Sequence, residues 1–363
     1  MGSSRVTREE YNERFKKRFE ETKDFWTNKL YVGAYDLIKD HKAPIVIPSY
    51  NNPDCYTVRL INQLPEDRTW PAYIVVRKSQ EDEYKKHCGR VIVCGVEDEL
   101  INSLGKARAW IVNEFSKKYD FVFMLDDDTQ GVYYSIRGKT AEGALKSEYQ
   151  KQFDLPGVMA MWQLAHENVS RRSDKVIFSN VSQCGFCYND IFTEEKNSAM
   201  LLRGYPSLGC FCCNVKRLKD TGMNYRHSPE IGHEDYDLYF RLLTKGYLNV
   251  QLAWIVCGQD AMHIGDYEAA NSLKERFKIQ TTKLKNAMEP YDIPFVQYRE
   301  VKGKYNAKIT RSHLNQYLEE RGYLPEKMEI DIWDNGNLLK PDLPVEQITF
   351  KPKLKKYEEV NLF

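Results

Sequence analysis

Tyr119-Asp120-Phe121-Val122-Phe123-Met124-Leu125-Asp126-Asp127-Asp128-Thr129 is a short apolar run that stops abruptly in three consecutive carboxylates. Four of the five residues from Phe121 to Leu125 are β-branched, aromatic or leucine, which predicts a strand buried on both faces. Three like charges at the tip of such a strand raise one another's pKa unless a cation neutralises them. A hard divalent ion carrying phosphates would do so. The tripeptide could equally cap a helix or sit in a solvated turn, so the flanking sequence has to decide.

Upstream, residues 43–48 form an apolar strand that runs into Ser49-Tyr50-Asn51-Asn52-Pro53, a turn rich in short polar side chains, followed by a helix near residues 56–64. A second strand at 72–77, a helix at 80–86, a third strand at 90–95 and a helix at 105–118 lead back to the acidic run. Apolar strands interleaved with helices predict an α/β fold whose mostly parallel sheet carries helices on both faces. Ligands of such sheets lie beyond the carboxyl ends of the strands, so Ser49 to Asn51, Arg77, Gly95 and Asp126 to Asp128 are expected to converge. No G-x-G-x-x-G or G-x-x-x-x-G-K-[ST] pattern is present, which removes the support for dinucleotide binding and P-loop phosphoryl transfer.

Further on, a helix is expected at 155–169 and strands at 175–180, 207–215 and 250–257, with an insertion at 183–198. His233-Glu234-Asp235-Tyr236-Asp237-Leu238 opens a helix with acids in its first turn, where they can complement the dipole. A carboxylate on a rigid helix end can also deprotonate a hydroxyl nucleophile. His263 follows the last of these strands, and an imidazole near carboxylates can ligate manganese.

The 363 residues are 42% hydrophobic and 29% charged with a formal net charge of +1, so no general attraction to polyanions is expected. No apolar run reaches the roughly 18 residues of a membrane span. A cytoplasmic protein is expected, in the host cytoplasm if the chain is phage-encoded, and a monomer without membrane partners. Nine cysteines fit reduced thiols. Cys184-x-x-Cys187 and Cys210-x-x-Cys213 could form a zinc ribbon, or the second pair could be buried in a strand.

Taken together, residues 44–51, Leu125 to Asp128, Glu234-Asp235 and His263, in this order and spacing, resemble the GT-A glycosyltransferases, whose fold is Rossmann-like. The resemblance spans about residues 43–270, leaving an N-terminal helical segment (1–42) and a basic, α-rich C-terminal extension (271–363). It implies that Pro48, Ser49, Tyr50 and Asn51 hold the donor nucleoside, with Arg77 alongside. It further implies that Asp126 and Asp128, with His263, hold Mn2+ or Mg2+ on the diphosphate of a UDP-type sugar donor, and that Asp127 faces the donor sugar or ribose. Asp235 becomes the catalytic base beside Glu234, as in inverting members. Residues 105–109 resemble the helix facing the donor, which makes Lys106 and Arg108 candidate donor contacts.

Ile-Pro-Ser-Tyr-Asn-Asn-Pro and Met-Leu-Asp-Asp-Asp-Thr further resemble the TET/JBP-associated glycosyltransferases. That similarity implies a phage enzyme that moves a pentose such as arabinose, or glucose, to 5-hydroxymethylcytosine in double-stranded DNA. The alternative acceptors are a glycan, a protein or a small molecule. Between residues 271 and 313, ten Lys/Arg against four acids give a local charge of +6, interleaved with Phe277, Tyr291, Phe295, Tyr298 and Tyr305. Such a patch suits DNA phosphates and a flipped base, though it could also be a solvated face.

Overall fold

A computed structural model of the chain describes residues 31–134, 155–183, 200–202, 209–228, 230–259, 273–301, 304–322, 333–334 and 337–338. Helix α1 (Tyr31–Ile38) leads to β1 (Ile45–Pro48), α2 (Tyr56–Asn62), β2 (Ala72–Arg77), α3 (Glu81–His87), β3 (Ile92–Val96), α4 (Leu104–Phe115) and the acidic-tipped β4 (Phe121–Leu125). There follow β5 (Thr129–Tyr134), α5 (Leu155–Arg172), β6 (Val176–Gln183), β7 (Met200–Leu202), β8 (Cys210–Asn214), α6 (Val215–Asp220), α7 (Glu234–Leu243) and β9 (Leu248–Gln259). The C-terminal part contributes α8 (Leu273–Met288), β10 (Val296–Val301), β11 (Lys304–Ile309), α9 (Arg311–Glu320) and the small pair β12 (Trp333–Asp334) and β13 (Asn337–Leu338).

Strands β1 to β9 form one sheet in the order β3-β2-β1-β4-β8-β6-β9-β5, with β7 paired to β9. Six of the nine strands run in one direction, and β5, β7 and β8 oppose them. The expected mostly parallel α/β sheet is therefore present. β8 is the instructive exception, because all five of its residues are buried yet it is antiparallel to both β4 and β6. Continuous burial marks a strand covered on both faces, and it does not fix the direction of the neighbours.

Alternation along the strands divides the core. Ile45, Ile47, Phe123 and Leu125 face one cluster with Ile38, Val58, Met161 and Trp162, drawn from α1, α2 and α5. Val46, Val122 and Met124 face the other with Ile111, Val112, Leu218 and Leu238, drawn from α4, α6 and α7. Phe123 meets Trp162 edge-to-face at 5.0 Å, a contact of about 0.5–1.5 kcal/mol beyond its buried area. The strand carrying the acidic tip is thus clamped from both sides.

A third cluster joins the C-terminal part to the sheet domain. Tyr239, Phe240 and Leu243 of α7 pack with Leu284 and Met288 of α8, Phe295, and Leu314, Tyr317 and Leu318 of α9. Besides its helices this extension contains the β10-β11 hairpin, which the α-rich reading did not foresee. Val296, Tyr298, Ala307 and Ile309 lie on the hairpin's inner face against that cluster. Gln297, Arg299 and Lys308 are on the opposite face and exposed.

The zinc-ribbon reading does not hold for the second cysteine pair. Cys210 and Cys213 lie on opposite faces of β8, one in each core cluster, so they cannot grip one ion together. Burial pushes both thiols well above the usual range. Cys184 and Cys187 lie outside the described residues. No helix of the described residues is long and apolar enough to cross a membrane.

Candidate active site

The acidic tip is held as a built turn. Asp126 N–H donates to the Gly209 carbonyl at 2.7 Å, and Thr129 N–H to the Asp126 carbonyl at 3.1 Å. Thr57, fully buried in α2, donates its hydroxyl to the Asp126 carbonyl at 2.6 Å and accepts from Thr129 N–H at 3.2 Å. One hydroxyl thereby ties the turn after β4 to the first turn of α2. Nothing in the sequence distinguished Thr57 from any other helix threonine.

Ser49, 4% exposed, donates to Asp127 Oδ2 at 2.6 Å and shares a 2.8 Å hydrogen bond with the Tyr84 hydroxyl. Because Ser49 has a single proton and gives it to a carboxylate, the Tyr84 hydroxyl is the donor to Ser49. It also accepts from Asn52 N–H at 2.9 Å. Asn51 takes the left-handed conformation at φ +52°, which asparagine tolerates better than most residues, and its side chain meets that of Gln80. The Arg77 guanidinium lies 4.1 Å over the Tyr50 ring and donates to the Asn102 carbonyl at 3.2 Å. Pro48, Ser49, Tyr50, Asn51, Arg77 and Asp127 therefore surround the carboxyl ends of β1, β2 and β4. Tyr84, like Thr57, was not singled out in the sequence.

Arg108 makes ion pairs that the sequence did not reveal. Expected to face the donor, it is 2% exposed, and its two terminal nitrogens donate to Asp126 Oδ1 and to Glu234 Oε1, each at 2.7 Å. Its neighbour Lys106 extends to the Glu99 carbonyl at 2.9 Å. Burial opposes the charge of Arg108, but the carboxylates of Asp126 and Glu234 outweigh it and strengthen its hold on the proton. Burial raises the Asp126 carboxyl from its ordinary value, and Arg108 pulls it part of the way back. This bridge joins the acidic tip to the first turn of α7 across 108 residues of sequence. Gly105 permits the approach, because a Cβ there would lie 2.9 Å from the Arg226 carbonyl oxygen and 3.4 Å from Glu234 Cβ.

Helix α7 is itself pinned. Asp237 is fully buried between Arg226 and Arg241, and Arg241 donates on to the Asn224 carbonyl at 2.7 Å. Asn224 reaches the Ala109 carbonyl of α4 at 3.1 Å. Asp235 accepts from Tyr236 N–H at 2.8 Å. Burial and then the adjacent Glu234 charge push its carboxyl up to about 7, against the pull of Arg108. A carboxylate poised there can exchange a proton near neutral pH.

Asp126 and Asp128 present oxygen donors two residues apart, the ligand type that Mg2+ and Mn2+ take. A carboxylate that gives one oxygen to Arg108 still keeps lone pairs for an ion. Among the described residues no group of three His, Cys, Asp or Glu is arranged to hold a metal. His263, the expected third ligand, lies outside the described residues.

A family model described as "TET-Associated Glycosyltransferase" matches residues 43–266, more than half of the chain. No curated protein sequence matches. Among solved structures, glucosyl-3-phosphoglycerate synthase from Mycobacterium tuberculosis in complex with Mg2+ and UDP aligns at 10% identity. The alignment covers 77% of this chain and 90% of that one, with a TM-score of 0.38. GalNAc-T7 with UDP, GalNAc and Mn2+ aligns at 13% identity over 88% of this chain and 61% of that one, also with a TM-score of 0.38. The family match starts at the strand before the Ser49 turn and runs past Glu234-Asp235, and so encloses the whole described site: the chain belongs to the TET-associated glycosyltransferase family.

Proposed function

We propose that this glycosyltransferase moves a pentose or hexose from a UDP-type sugar donor to the hydroxyl of 5-hydroxymethylcytosine in double-stranded DNA, with inversion at the anomeric carbon. The observation that carries the reading is the Arg108 bridge, which sets the acidic tip and the Glu234-Asp235 pair against each other across one crevice. A donor site and a base in one crevice are what a single displacement requires.

In this reading the turn after β1 takes the nucleoside, with Tyr50 and Arg77 forming its wall. Asp127, fixed by Ser49, faces the ribose or the sugar. Asp126 and Asp128, with His263, hold Mn2+ or Mg2+, which when bound offsets the charge developing on the departing diphosphate. Asp235 accepts the proton of the acceptor hydroxyl as its oxygen forms the new bond to the anomeric carbon and the bond to the diphosphate oxygen breaks. Arg108 keeps Glu234 paired, so that Asp235 alone takes the proton.

DNA as acceptor is supported by the charge of the extension. Lys278 and Lys285 on α8 and Arg299 and Lys308 on the outer hairpin face are exposed, in a segment with a net charge of +6. The test is transfer of label from a panel of UDP-sugars with Mn2+ to matched duplexes that contain cytosine or 5-hydroxymethylcytosine. Label confined to the hydroxymethylated duplex supports the proposal. Label on neither duplex, together with transfer to a glycan, a protein or a small hydroxyl compound, would replace the DNA acceptor.

A further inference from the structure

The base loop is held by a helix that lies outside the matched family segment. His233, the residue before Glu234-Asp235, sits at φ +49°, a conformation sparsely populated by non-glycine residues. Such backbone persists only where its surroundings over-determine it. Here the surroundings belong to α8. His233 N–H donates to Gln280 Oε1 at 2.8 Å, and its ring Nε2 lies 3.2 Å from Thr281 Oγ1. Thr281 is fully buried and donates its single proton to the Tyr305 carbonyl of β11 at 2.9 Å. Its oxygen is therefore the acceptor for His233, which fixes the proton on Nε2 of the imidazole.

The ring also lies between Tyr236, at 5.6 Å, and Phe277 of α8, at 5.9 Å. Next to it, a Cβ on Gly232 would run into the Gln280 backbone carbonyl, so the loop and the helix touch where only glycine fits. Arg108 of α4 holds the next residue, Glu234. The two residues before Asp235 are thus held by different parts of the chain, Glu234 by the matched domain and His233 by the extension.

We infer that Gln280 and Thr281 are positioning residues for the base, and that α8 and the β10-β11 hairpin form a brace that holds His233 in its strained conformation and with it the adjacent Glu234-Asp235. This rests on the reading of Asp235 as the base. It also gives the extension a second task besides the proposed DNA contact of its exposed Lys278, Lys285, Arg299 and Lys308.

The test compares full-length wild type with Q280A, T281V and Q280E, the last of which keeps the accepting oxygen. Amide exchange read on peptides covering 230–237 and 104–115 is combined with kcat and donor KM. Q280A and T281V are expected to exchange about tenfold faster at 230–237 while 104–115 is unchanged. Their kcat is expected to fall between about ten- and a hundredfold at constant donor KM, as for a group misplaced by a fraction of an ångström to an ångström. Q280E is expected to recover most of both. Unchanged exchange at 230–237 in Q280A and T281V overturns the brace, and faster exchange with unaltered kcat overturns its role in catalysis. Wild type inactive with every donor and acceptor would instead sink the proposed function, and the exchange data would still decide whether the brace exists.

Discussion

Asp235 and Arg108 concentrate the chemistry of the site in two side chains. With its carboxyl pushed up to about 7, Asp235 is largely protonated in mildly acid solution and unable to accept a proton. The acceptor-side kcat/KM should therefore rise with pH, with a slope of about one decade per pH unit below a midpoint at or under about 7, and then level off. The D235N variant should lose that limb along with most of the activity. Arg108 makes a different prediction, since it is shared by two partly buried carboxylates and cannot shed its proton. Replacing it by methionine leaves Asp126 and Glu234 uncompensated, and urea unfolding should show a loss of about 3–5 kcal/mol. A loss well under 1 kcal/mol would mean that the bridge is not structural.

Among the elements, β4 and α5 show how burial sets both shape and acid sensitivity. His166 of α5 is fully buried, shares a 2.8 Å hydrogen bond with Ser179 and packs edge-on to Phe121 of β4 at 5.1 Å. Burial, and then the charge of Arg217, lower its pKa from 6.5 to about 3. The unfolded chain binds this proton below about 6.5 and the folded one does not, so stability present above 6.5 is lost as the pH falls toward 3. The slope is about 1.4 kcal/mol per pH unit from this group. Thermal melts of H166Q against wild type between pH 4 and 7 should show a shallower acid limb in the variant.

The same elements show what the sequence could tell. β2 was legible to the residue, because Ala72–Arg77 is apolar between clear turn signals. β1 and β4 were legible for the same reason, and the acidic tip of β4 marked the working end of the sheet. The direction of β8 was not legible, since a strand buried on both faces reads alike whichever way it runs. The β10-β11 hairpin escaped because charged and apolar residues alternate in its short strands, a pattern easily taken for a polar loop. At the site, residue type and order pointed to Ser49, Asp126 to Asp128, Glu234 and Asp235. Thr57, Tyr84, Gln280 and Thr281 were invisible, because their importance lies in which distant backbone they touch. Arg108 was noticed, but its ion pairs with Asp126 and Glu234 were not, since sequence cannot say which distant acids a helix arginine meets.

At the scale of the whole molecule, a nearly neutral chain concentrates positive charge in one extension and acidic chemistry in one crevice. If the extension meets phosphates, binding to duplex DNA should weaken linearly on a double-logarithmic plot against salt. Removing two contacts in R299A/K308A should reduce the slope by about 2 without altering the melting temperature appreciably. An unchanged slope would place the acceptor elsewhere.

The central claim is that the crevice between the tip of β4 and the start of α7 glycosylates hydroxymethylated cytosine in DNA. Its most direct test is the mass of nucleosides released from 5-hydroxymethylcytosine DNA after incubation with Mn2+, a panel of UDP-sugars and either wild type or D235N. The account predicts a gain of one pentose or one hexose on 5-hydroxymethylcytosine with wild type and none with D235N. No gain with any donor, or an equal gain with both proteins, would contradict it.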